Sequence, residues 1–558
     1  MSRIEAKNEF VIKFANVNGS GSASANQLFA KGIFRSGIPV SPKNIFPSNI
    51  QGLPTWFEVR VSEKGYQGRR EGIDIMVAMN PQSYNEDVKE INTGGYLLYD
   101  SSWKRDFSRT DINIISIPIT KLCVEEFSNP KQRLLFKNIV YVGALSFILG
   151  MDKEIYETLI EEQFKGKEKL ISPNIQALNI GYDFATEKLK DICSIKVEKA
   201  NKTNGMVLTS GNEAAGLGCV YGGAAVCSWY PITPSTSLAE AFTDFSEKFR
   251  VDEKSKKNKY AVIQAEDELA AIGIAIGSNW NGARGFTATS GPGISLMSEF
   301  LGLAYFAEVP LVVFDIQRGG PSTGMPTRTQ QSDILSCAYA SHGDTKHVLL
   351  IPSNPKECFE FAAEAFDLAD QIQTPVIVLS DLDLGMNDWT CSELEWDDDR
   401  VYDRGKVLNG KDLEEIETFG RYLDVDGDGR CELDDPEAFT DTNSNGKWDS
   451  GSSLNSYFTL FTETNFLLWA KNSILVSIIV TLTGVVFAST GGYALSRFRF
   501  RGREFGMLAL LTTQMFPATM LLLPFFILLS YLGLINSYIG LIIIYSSTAL
   551  PFCIWQMK

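Results

Sequence analysis

The residues best suited to chemistry begin with a turn bounded by two prolines, Tyr230-Pro231-Ile232-Thr233-Pro234-Ser235-Thr236. Proline fixes its own φ and disfavours a helical conformation in the residue before it, so this turn should be rigid. That rigidity would hold the hydroxyl of Thr233 in one place, where it could bind a ligand. The same string also fits an ordinary helix start capped by Ser235 or Thr236, and taken alone it favours neither interpretation.

Polar side chains also stand where predicted strands end. Apolar runs of strand length lie within 260–267, 285–293, 309–320 and 374–381, and the polar residues near their ends are Glu266, Ser290, Arg318 and Asp381. Ligands bind at the carboxyl ends of the strands in open α/β sheets, so we expect Glu266 and Arg318 to open into one cleft near Thr233. Taken singly, Glu266 is better explained as a carboxylate at a helix N-terminus and Arg318 as a surface ion pair. Their joint spacing favours the cleft.

The elements that must position these residues alternate between strands and helices. Residues 9–200 show this rhythm, which predicts a parallel sheet covered by helices. The polar, lysine-rich stretch 196–205 predicts an interdomain linker, and the strand–helix pattern restarts after it. We therefore predict two α/β domains, at 1–197 and 205–390. The glycine–serine run 19–24 ends in Ser24, not in the glycine or alanine of a dinucleotide fingerprint, which favours a tight turn over a nucleotide site.

The composition excludes several classes of function. The chain has 51 Lys and Arg against 67 Asp and Glu, a net charge of −16, so we expect no nucleic-acid partner. Its nine cysteines form no CxxC pair, which argues against an iron–sulfur cluster or structural zinc within this chain. The residues after Met1 lack the apolar core of a secretory signal. Together with the scattered thiols, this predicts a cytoplasmic location for residues 1–429.

The motifs YPITPSTS, AEDELAAIG, TATSGPG and QRGGPSTGMPTRTQQSD resemble those of the alpha subunit of 2-oxoacid:ferredoxin oxidoreductases of the 2-oxoglutarate type. Residues 45–66 resemble the gamma-type domain fused ahead of it, and the resemblance covers about 1–429. It implies oxidative decarboxylation of a 2-oxoacid to an acyl-CoA, with electrons passed to ferredoxin. It also implies thiamine diphosphate with Mg²⁺, and a beta subunit that completes the site and holds an iron–sulfur cluster. This chain alone would then be inactive.

The resemblance carries roles onto individual residues. Glu266, in QAED, matches the glutamate that binds N1′ of the thiamine pyrimidine, and is the expected catalytic residue. Thr233 matches the threonine that hydrogen-bonds the 2-oxoacid carboxylate. Arg318 matches the arginine that pairs with this carboxylate through its planar guanidinium, and Arg328 is a rival for that role. The cofactor-binding residues implied are Tyr230, Pro231, Ile232, Glu266, Ser290 and Gly291.

An acidic, loop-like region follows at 391–466. It contains two runs in which oxygen-bearing side chains alternate before a glycine, the first with Asp424, Asp426 and Asp428 and the second within 441–452. Both approximate a calcium-binding loop, but the first has Asp where a bidentate Glu is usual and the second ends in Ser452. Solvated acidic turns are the favoured interpretation, and weak Ca²⁺ sites are the alternative.

Three long uncharged apolar runs occupy the C-terminal part, at 474–495, 507–534 and 538–555. Each is long enough, or nearly so, to cross a hydrocarbon core of about 30 Å as a helix. This predicts an all-α transmembrane segment of three helices at 467–558, with the membrane as its partner. The string 472–502 resembles a carbohydrate-importing ABC transporter permease of the MalG-like type, of which the chain would hold only a fragment.

These parts do not make one consistent protein. Four arginines at 497–503 place the loop between the first two spans in the cytoplasm. A continuous chain would then carry residues 1–429 to the outside, away from ferredoxin and coenzyme A. We therefore interpret the chain as an alpha-type oxidoreductase portion, incomplete at its C-terminus, that is joined near 424–445 to a permease fragment by a joining artefact and is not a functioning fusion. The alternative is a sugar-transporting permease subunit with a soluble extension.

Overall fold

The computed structural model describes residues 3–46, 53–105, 107–320, 326–408, 410–412, 466–498, 503, 506, 518–535 and 537–556. The chain divides into two compact units, Met1–Val407 and Leu408–Lys558. The first unit contains two α/β domains.

The first domain is built on a six-stranded sheet with the order β3-β4-β2-β5-β6-β7. The strands of this domain are β1 (Ala6–Lys7), β2 (Glu9–Val17), β3 (Val40–Ile45), β4 (Pro54–Ser62), β5 (Ile73–Ala78), β6 (Ile91–Asp100), β7 (Asn113–Ile117) and β8 (Ile195–Lys196). Strands β2, β5, β6 and β7 are parallel, but β4 runs antiparallel to both β2 and β3. The predicted parallel sheet is therefore present in β2, β5, β6 and β7, and the antiparallel β4 departs from it. The connection between β3 and β4 is too short for the helical crossover that parallel neighbours need.

Alternation along β2 separates the two cores of this domain. Phe10, Ile12 and Phe14 face one side of the sheet, whereas Val11 and Ala15 face the other. The helices of the domain are α1 (Ser22–Arg35), α2 (Tyr84–Lys89), α3 (Ile119–Glu126), α4 (Pro130–Ile148), α5 (Lys153–Gln163) and α6 (Glu168–Lys188). The ring of Phe14 packs edge-on against Phe29 of α1, at 5.3 Å between centroids. The predicted tight turn at 19–24 is present, with Gly21 at φ 75° before α1.

The second domain has a six-stranded sheet that is parallel throughout, with the order β11-β10-β12-β13-β15-β14. The strands of this domain are β9 (Met206–Ser210), β10 (Val226–Trp229), β11 (Ala261–Gln264), β12 (Gly285–Thr289), β13 (Leu311–Gln317), β14 (Val348–Leu350), β15 (Pro375–Asp381) and β16 (Asp388–Ser392). The central strands β12, β13 and β15 are buried along their whole length, as the continuous apolar runs predicted.

Helices cover both faces of this second sheet. They are α7 (Gly211–Tyr221), α8 (Thr236–Phe249), α9 (Glu268–Trp280), α10 (Gly291–Phe306), α11 (Ile334–Ala338), α12 (Pro355–Ile372) and α13 (Leu382–Met386). One apolar core lies between the sheet and α7, α8 and α12, and the other lies between the sheet and α9 and α10. The sheet is therefore the middle layer of three, which leaves the carboxyl ends of its strands at one open edge.

The two domains of the first unit are joined by a polar interface. Lys43 of β3 pairs with Asp383 of α13 at 2.9 Å and lies 3.4 Å from the centroid of the Trp389 ring. Burial lowers the pKa of Lys43, and Asp383 opposes that shift. The stretch 196–205, predicted as a linker, is bound to the first domain, because the amide of Ala200 donates to the carbonyl of Ser36. The domain boundaries at 1–197 and 205–390 stay predictions.

The second unit contains three described helices, α14 (Phe466–Arg497), α15 (Ala518–Tyr531) and α16 (Tyr538–Gln556). In the described part of this unit, Ala470–Arg497 is the one helix long and apolar enough to cross a membrane, with a mean hydropathy of 2.1. Within α16, Tyr538–Ser547 is a shorter apolar stretch. The first of the three expected spans thus has a matching helix, and the other two stay predictions. The acidic runs with Asp424, Asp426 and Asp428 lie outside the described residues.

Candidate functional site

The predicted site residues stand at one edge of the second sheet. Ser290 follows β12, Arg318 follows β13 and Asp381 ends β15. The turn that starts at Tyr230 follows β10, which lies between β11 and β12. Since all of these strands are parallel, their carboxyl ends share an edge, and Ser290, Arg318, Asp381 and the turn lie along it. That Glu266 and Arg318 open into one cleft near Thr233 stays a prediction.

The proline-bounded turn is held together by its own hydrogen bonds. The amide of Ile232 donates to Oγ1 of Thr236 at 3.1 Å, and the hydroxyl of Ser235 donates to the carbonyl of Ile232 at 3.0 Å. Helix α8 begins directly after this turn, at Thr236, and Ser235 makes no side-chain cap. The turn is therefore also a helix start, but one in which the hydroxyls close the turn instead of capping α8.

Arg318 contacts the turn directly. Its Nη1 donates to the carbonyl oxygen of Thr233 at 2.7 Å, and the residue is only 5% exposed. Burial lowers the pKa of the Arg318 guanidinium, and the carboxylate of Glu268 opposes this shift. Arg318 and Thr233, the two residues expected to bind the substrate carboxylate, are thus neighbours. The side chain of Glu268 is also close enough to interact with the guanidinium of Arg318.

The two glutamates near the end of β11 differ in burial. Glu266, the predicted catalytic residue, is exposed, whereas Glu268 is 8% exposed. Glu268 is the first residue of α9 and lies on the stripe that faces the core, together with Ala271, Ile272, Ala275 and Ile276. Asp267 caps the helix by accepting from the amide of Ala270 at 2.7 Å. The carboxylate that reaches the buried side of the site is therefore Glu268, which the sequence interpretation missed.

Ser290 and Gly291 form the start of α10. Ser290 is fully buried, and its Oγ has no hydrogen-bond partner within the described part of the chain. A Cβ placed on Gly291 would lie 2.5 Å from the carboxylate of Asp333, so only glycine fits against that group. Burial raises the pKa of Asp333. A buried hydroxyl without a partner, close to the half-buried carboxylate of Asp333, provides polar contacts of the kind that a heterocyclic ligand requires.

The side chain of Arg328 points away from Arg318, and the first residues of the turn, Tyr230 to Ile232, are only partly buried or exposed. The side chain of Arg328 is exposed and donates to the carbonyl of Phe46 in the first domain at 3.2 Å, while its own carbonyl accepts from the amide of Gly319 at 2.6 Å. Its backbone is thus near Arg318, but its guanidinium points toward the first domain. Pro231 is exposed, and Tyr230 and Ile232 are half-buried. Their predicted contacts with a cofactor stay predictions.

A buried acid lies behind this edge. Asp315, on β13, is fully buried and accepts a hydrogen bond from the thiol of Cys337 at 3.4 Å. Burial raises the pKa of Asp315 well above its usual range, and the negative charge of Asp333 adds to the effect. The sequence interpretation also missed this pair, because Asp315 stands inside an apolar strand run.

The first domain has a cleft of its own at the carboxyl ends of β2, β5 and β6. Its cavity of about 470 Å³ is lined by strand-end residues that include Val17, Ala78 and Asp100, by Trp103, and by the cations Lys104, Arg105 and Lys137. Strand ends in an α/β sheet are the usual place for a ligand, and the three cations favour an anionic one. Among the residues that the structure describes, no group of three or more His, Cys, Asp or Glu could hold a metal ion.

Two family models match the chain. Residues 217–409 match the thiamine diphosphate-binding domain of pyruvate flavodoxin/ferredoxin oxidoreductases, and residues 11–184 match the pyruvate ferredoxin/flavodoxin oxidoreductase domain. The two matches fall on the second and first α/β domains. The permease-like resemblance of residues 472–502 rests on the sequence alone.

Relatives of known identity match over the same region. The chain is similar to subunit alpha of 2-oxoacid:ferredoxin oxidoreductase 2 from Aeropyrum pernix, with 31% identity over 70% of this chain and 68% of the relative. It is 32% identical to the 2-oxoglutarate oxidoreductase subunit KorA of Mycobacterium tuberculosis, over 66% of this chain and 60% of that one. The solved structure of 2-oxoglutarate:ferredoxin oxidoreductase from Magnetococcus marinus matches with a TM-score of 0.63, 30% identity and coverage of 72% and 68%.

Proposed function

Because this chain belongs to the 2-oxoacid:ferredoxin oxidoreductases, as an alpha-type subunit, we propose that its second domain supplies half of a thiamine-dependent active site. The reaction is the oxidative decarboxylation of a 2-oxoacid, with 2-oxoglutarate as the first candidate, to an acyl-CoA and carbon dioxide. Two electrons pass to ferredoxin. The observation that carries this proposal is the contact between Arg318 and Thr233 beside the buried carboxylate of Glu268.

The residues present fit the pyrimidine half of thiamine diphosphate. When bound, this cofactor supplies the electron sink that decarboxylation requires. Glu268 would hold the proton at N1′ of the pyrimidine, a role for which burial and position at the sheet edge favour it over the exposed Glu266. The unpartnered Oγ of Ser290 would hold a polar atom of the same ring. Glu266 remains the alternative that the sequence predicted.

Arg318 and Thr233 would bind the substrate carboxylate. A guanidinium has five N–H donors in a planar fork, so Arg318 can hold the carbonyl of Thr233 and a carboxylate together. The burial of Arg318 strengthens its attraction for an anion, because little water screens the charge there. Arg328, whose guanidinium contacts Phe46, would serve a group of the substrate farther from the reacting carbon.

Coenzyme A, the acyl acceptor, would enter from the first domain. The cleft at the ends of β2, β5 and β6 combines three cations, Lys104, Arg105 and Lys137, with the exposed indole of Trp103. Cations suit the phosphates of coenzyme A, and an indole suits its adenine. The contact of Arg328 with Phe46 links the second domain to the first near the active-site edge.

The partner that completes the site would dock on the outer faces of α9 and α10. Large apolar side chains are exposed there, including Trp280 on α9 and Leu296 and Leu303 on α10. A Cβ placed on Gly273 would lie 3.4 Å from the ring of Phe300, whereas a Cβ on Gly277 would meet nothing within 4 Å, so the surface of α9 beside Gly277 is open. Both helices begin at the site, with Glu268 and Ser290. We assign this surface to the beta subunit, which would also hold Mg²⁺ and the iron–sulfur cluster.

The direct test is reconstitution with a beta subunit of the same oxidoreductase family. The complex should reduce ferredoxin or a viologen dye only when a 2-oxoacid and coenzyme A are both present, with 2-oxoglutarate preferred over pyruvate. The isolated chain should bind thiamine diphosphate poorly in calorimetry. Absence of reduction with every 2-oxoacid, or tight cofactor binding by the chain alone, would contradict the proposal.

A second function applies to the C-terminal part. We propose that residues 1–429 act in the cytoplasm and that residues 467–558 are a carbohydrate permease fragment joined to them by an artefact. In a continuous chain the arginine-rich loop at 497–503 would put residues 1–429 outside the cell. The apolar helix Ala470–Arg497 favours membrane insertion of this part. Peptide mapping of the protein purified from cells tests the junction. One polypeptide with peptides from both parts, extracted only by detergent, would favour a real membrane-attached fusion instead.

A further inference from the structure

A second side chain holds the turn that carries Thr233. Asn212, the second residue of α7, is 1% exposed, and its Nδ2 donates to the carbonyl of Pro234 at 2.9 Å and to Oγ of Ser237 at 2.9 Å. Arg318 holds the carbonyl of the preceding residue, Thr233, at 2.7 Å. Two consecutive carbonyls of the turn are therefore bound by side chains from two different elements.

The position of Asn212 is itself tightly fixed. Ser210 caps α7 by accepting from the amide of Glu213 at 3.2 Å, so the helix start is defined. On the far side, a Cβ placed on Gly385 would lie 2.6 Å from Oδ1 of Asn212, and a Cβ on Gly211 would lie 2.8 Å from the carbonyl of Leu384. The side-chain amide of Asn212 thus lies between α13, which its oxygen approaches at Gly385, and the turn, which its nitrogen contacts.

From this geometry we infer that Asn212 is a positioning residue for 2-oxoacid binding. Together with Arg318 it fixes where the hydroxyl of Thr233 stands, and so sets its distance from the substrate carboxylate. This inference rests on the proposed function for the role of Thr233. The contact needs a donor at position 212, because both partners, a carbonyl and a hydroxyl, can accept from it. A carboxylate at position 212 would place a negatively charged oxygen against the carbonyl oxygen of Pro234, and the two would repel each other.

The test compares two isosteric substitutions in the complex with the beta subunit. Asn212→Asp keeps the size of the side chain and removes the donor. Asn279→Asp is the matched control, since Asn279 is also buried and its Nδ2 donates to a backbone carbonyl, that of Gly285, outside the turn. Asn212→Asp should raise KM for the 2-oxoacid about tenfold with a smaller change in kcat and an unchanged KM for coenzyme A. The control should leave KM for the 2-oxoacid within about twofold.

Amide hydrogen exchange supplies a readout that needs no activity. In Asn212→Asp the amides of residues 230–238 should exchange faster, and in Asn279→Asp they should not. Equal exchange of this segment in both variants, or a KM for the 2-oxoacid that changes equally in both, would overturn the inference. If the wild-type complex turns over no 2-oxoacid, the proposed function fails, and the exchange result alone decides whether Asn212 positions the turn. Asn212→Ser, which shortens the donor, replaces the aspartate variant if that one does not assemble.

Discussion

Nη1 of Arg318 donates a hydrogen bond to the carbonyl oxygen of Thr233 at 2.7 Å, and this bond joins the end of β13 to the turn after β10. The two strands are not neighbours, because β12 lies between them. The bond therefore spans the open edge of the sheet and ties a buried cation to the backbone of the rigid turn. A substitution of Arg318 should therefore change both the charge of the site and the position of the Thr233 hydroxyl.

Replacing Arg318 by lysine should show whether substrate binding needs only a positive charge at this position or also the planar shape of the guanidinium. Lysine keeps the positive charge but lacks the planar fork that can hold a carbonyl and a carboxylate together. We expect Arg318→Lys to raise KM for the 2-oxoacid roughly 10- to 100-fold in the reconstituted complex. Arg328→Lys is the informative comparison, since Arg328 is the rival for the same role. A larger rise in KM for Arg328→Lys than for Arg318→Lys would assign the substrate carboxylate to Arg328.

The choice between Glu266 and Glu268 can be settled by amide substitutions. Glutamine keeps the shape of glutamate but cannot hold the proton that activates the pyrimidine. Glu268→Gln should lower kcat by at least about 100-fold, the range typical of a lost acid–base group, because its carboxyl is buried at the site. Glu266→Gln should change kcat by less than about threefold, because its side chain is exposed. The reverse order of effects would restore Glu266 to the catalytic role.

These two glutamates show how far the sequence carries the prediction of the site. The edge of the sheet could be predicted, because apolar strand runs and glycine turns report where parallel strands end. The choice of carboxylate depends on where α9 begins, and a shift of two residues exchanges an exposed side chain for a buried one. Extending the core stripe of Ala271 and Ile272 one turn backward points to Glu268, and this spacing is the signal that could have identified it.

Other parts of the molecule could not be predicted because they depend on tertiary contacts. The antiparallel strand β4 joins a sheet in which β2, β5, β6 and β7 are parallel, and the short link after β3 is the local feature that distinguishes it. Asn212 and Asp315 are polar residues whose burial follows from the packing of α7 and β13, not from any local pattern. Sequence periodicity carries little information about which polar residues are buried.

An assembly experiment tests the surface on α9 and α10. Leu303→Asp places a charge on the exposed apolar face and should weaken association with the beta subunit at least about tenfold, because a buried charge without a partner is costly. Leu170→Asp, at a comparably exposed leucine of the first domain, is the control and should leave association unchanged. Analytical ultracentrifugation of the mixed subunits gives the measurement. Equal weakening by both variants would remove the assignment of this surface.

The basic cleft of the first domain can be tested through the kinetics of coenzyme A. The double variant Lys104→Gln, Lys137→Gln removes two of its three cations and should raise KM for coenzyme A about tenfold without changing KM for the 2-oxoacid. Lys121→Gln is the matched control, because Lys121 is an exposed lysine of α3 in the same domain that does not line the cleft. An unchanged KM for coenzyme A in the double variant would exclude this cleft as its binding site.

The last prediction concerns the buried acid Asp315 and the dependence of stability on pH. Burial raises its pKa in the folded protein well above the value of 3.8 expected when the chain is unfolded. The folded state therefore binds a proton that the unfolded state releases between these two pKa values. The stabilising effect of that proton is complete below pH 3.8 and is lost as pH rises toward the folded pKa. In this window the free energy of unfolding should fall by up to about 1.4 kcal/mol per pH unit.

Asp315→Asn should remove this slope, because the amide has the same shape and does not titrate. The difference in melting temperature between Asp315→Asn and the wild type should therefore grow in favour of the variant from pH 4 to pH 8. Asp252→Asn is a flat control over this range, because the hydrogen bond with Lys259 lowers the pKa of Asp252 and its contribution to stability is lost only as pH falls below 3.8. Thermal unfolding of the three proteins across this range gives the comparison. A difference between Asp315→Asn and the wild type that stays constant with pH would show that Asp315 ionises alike in the folded and unfolded states.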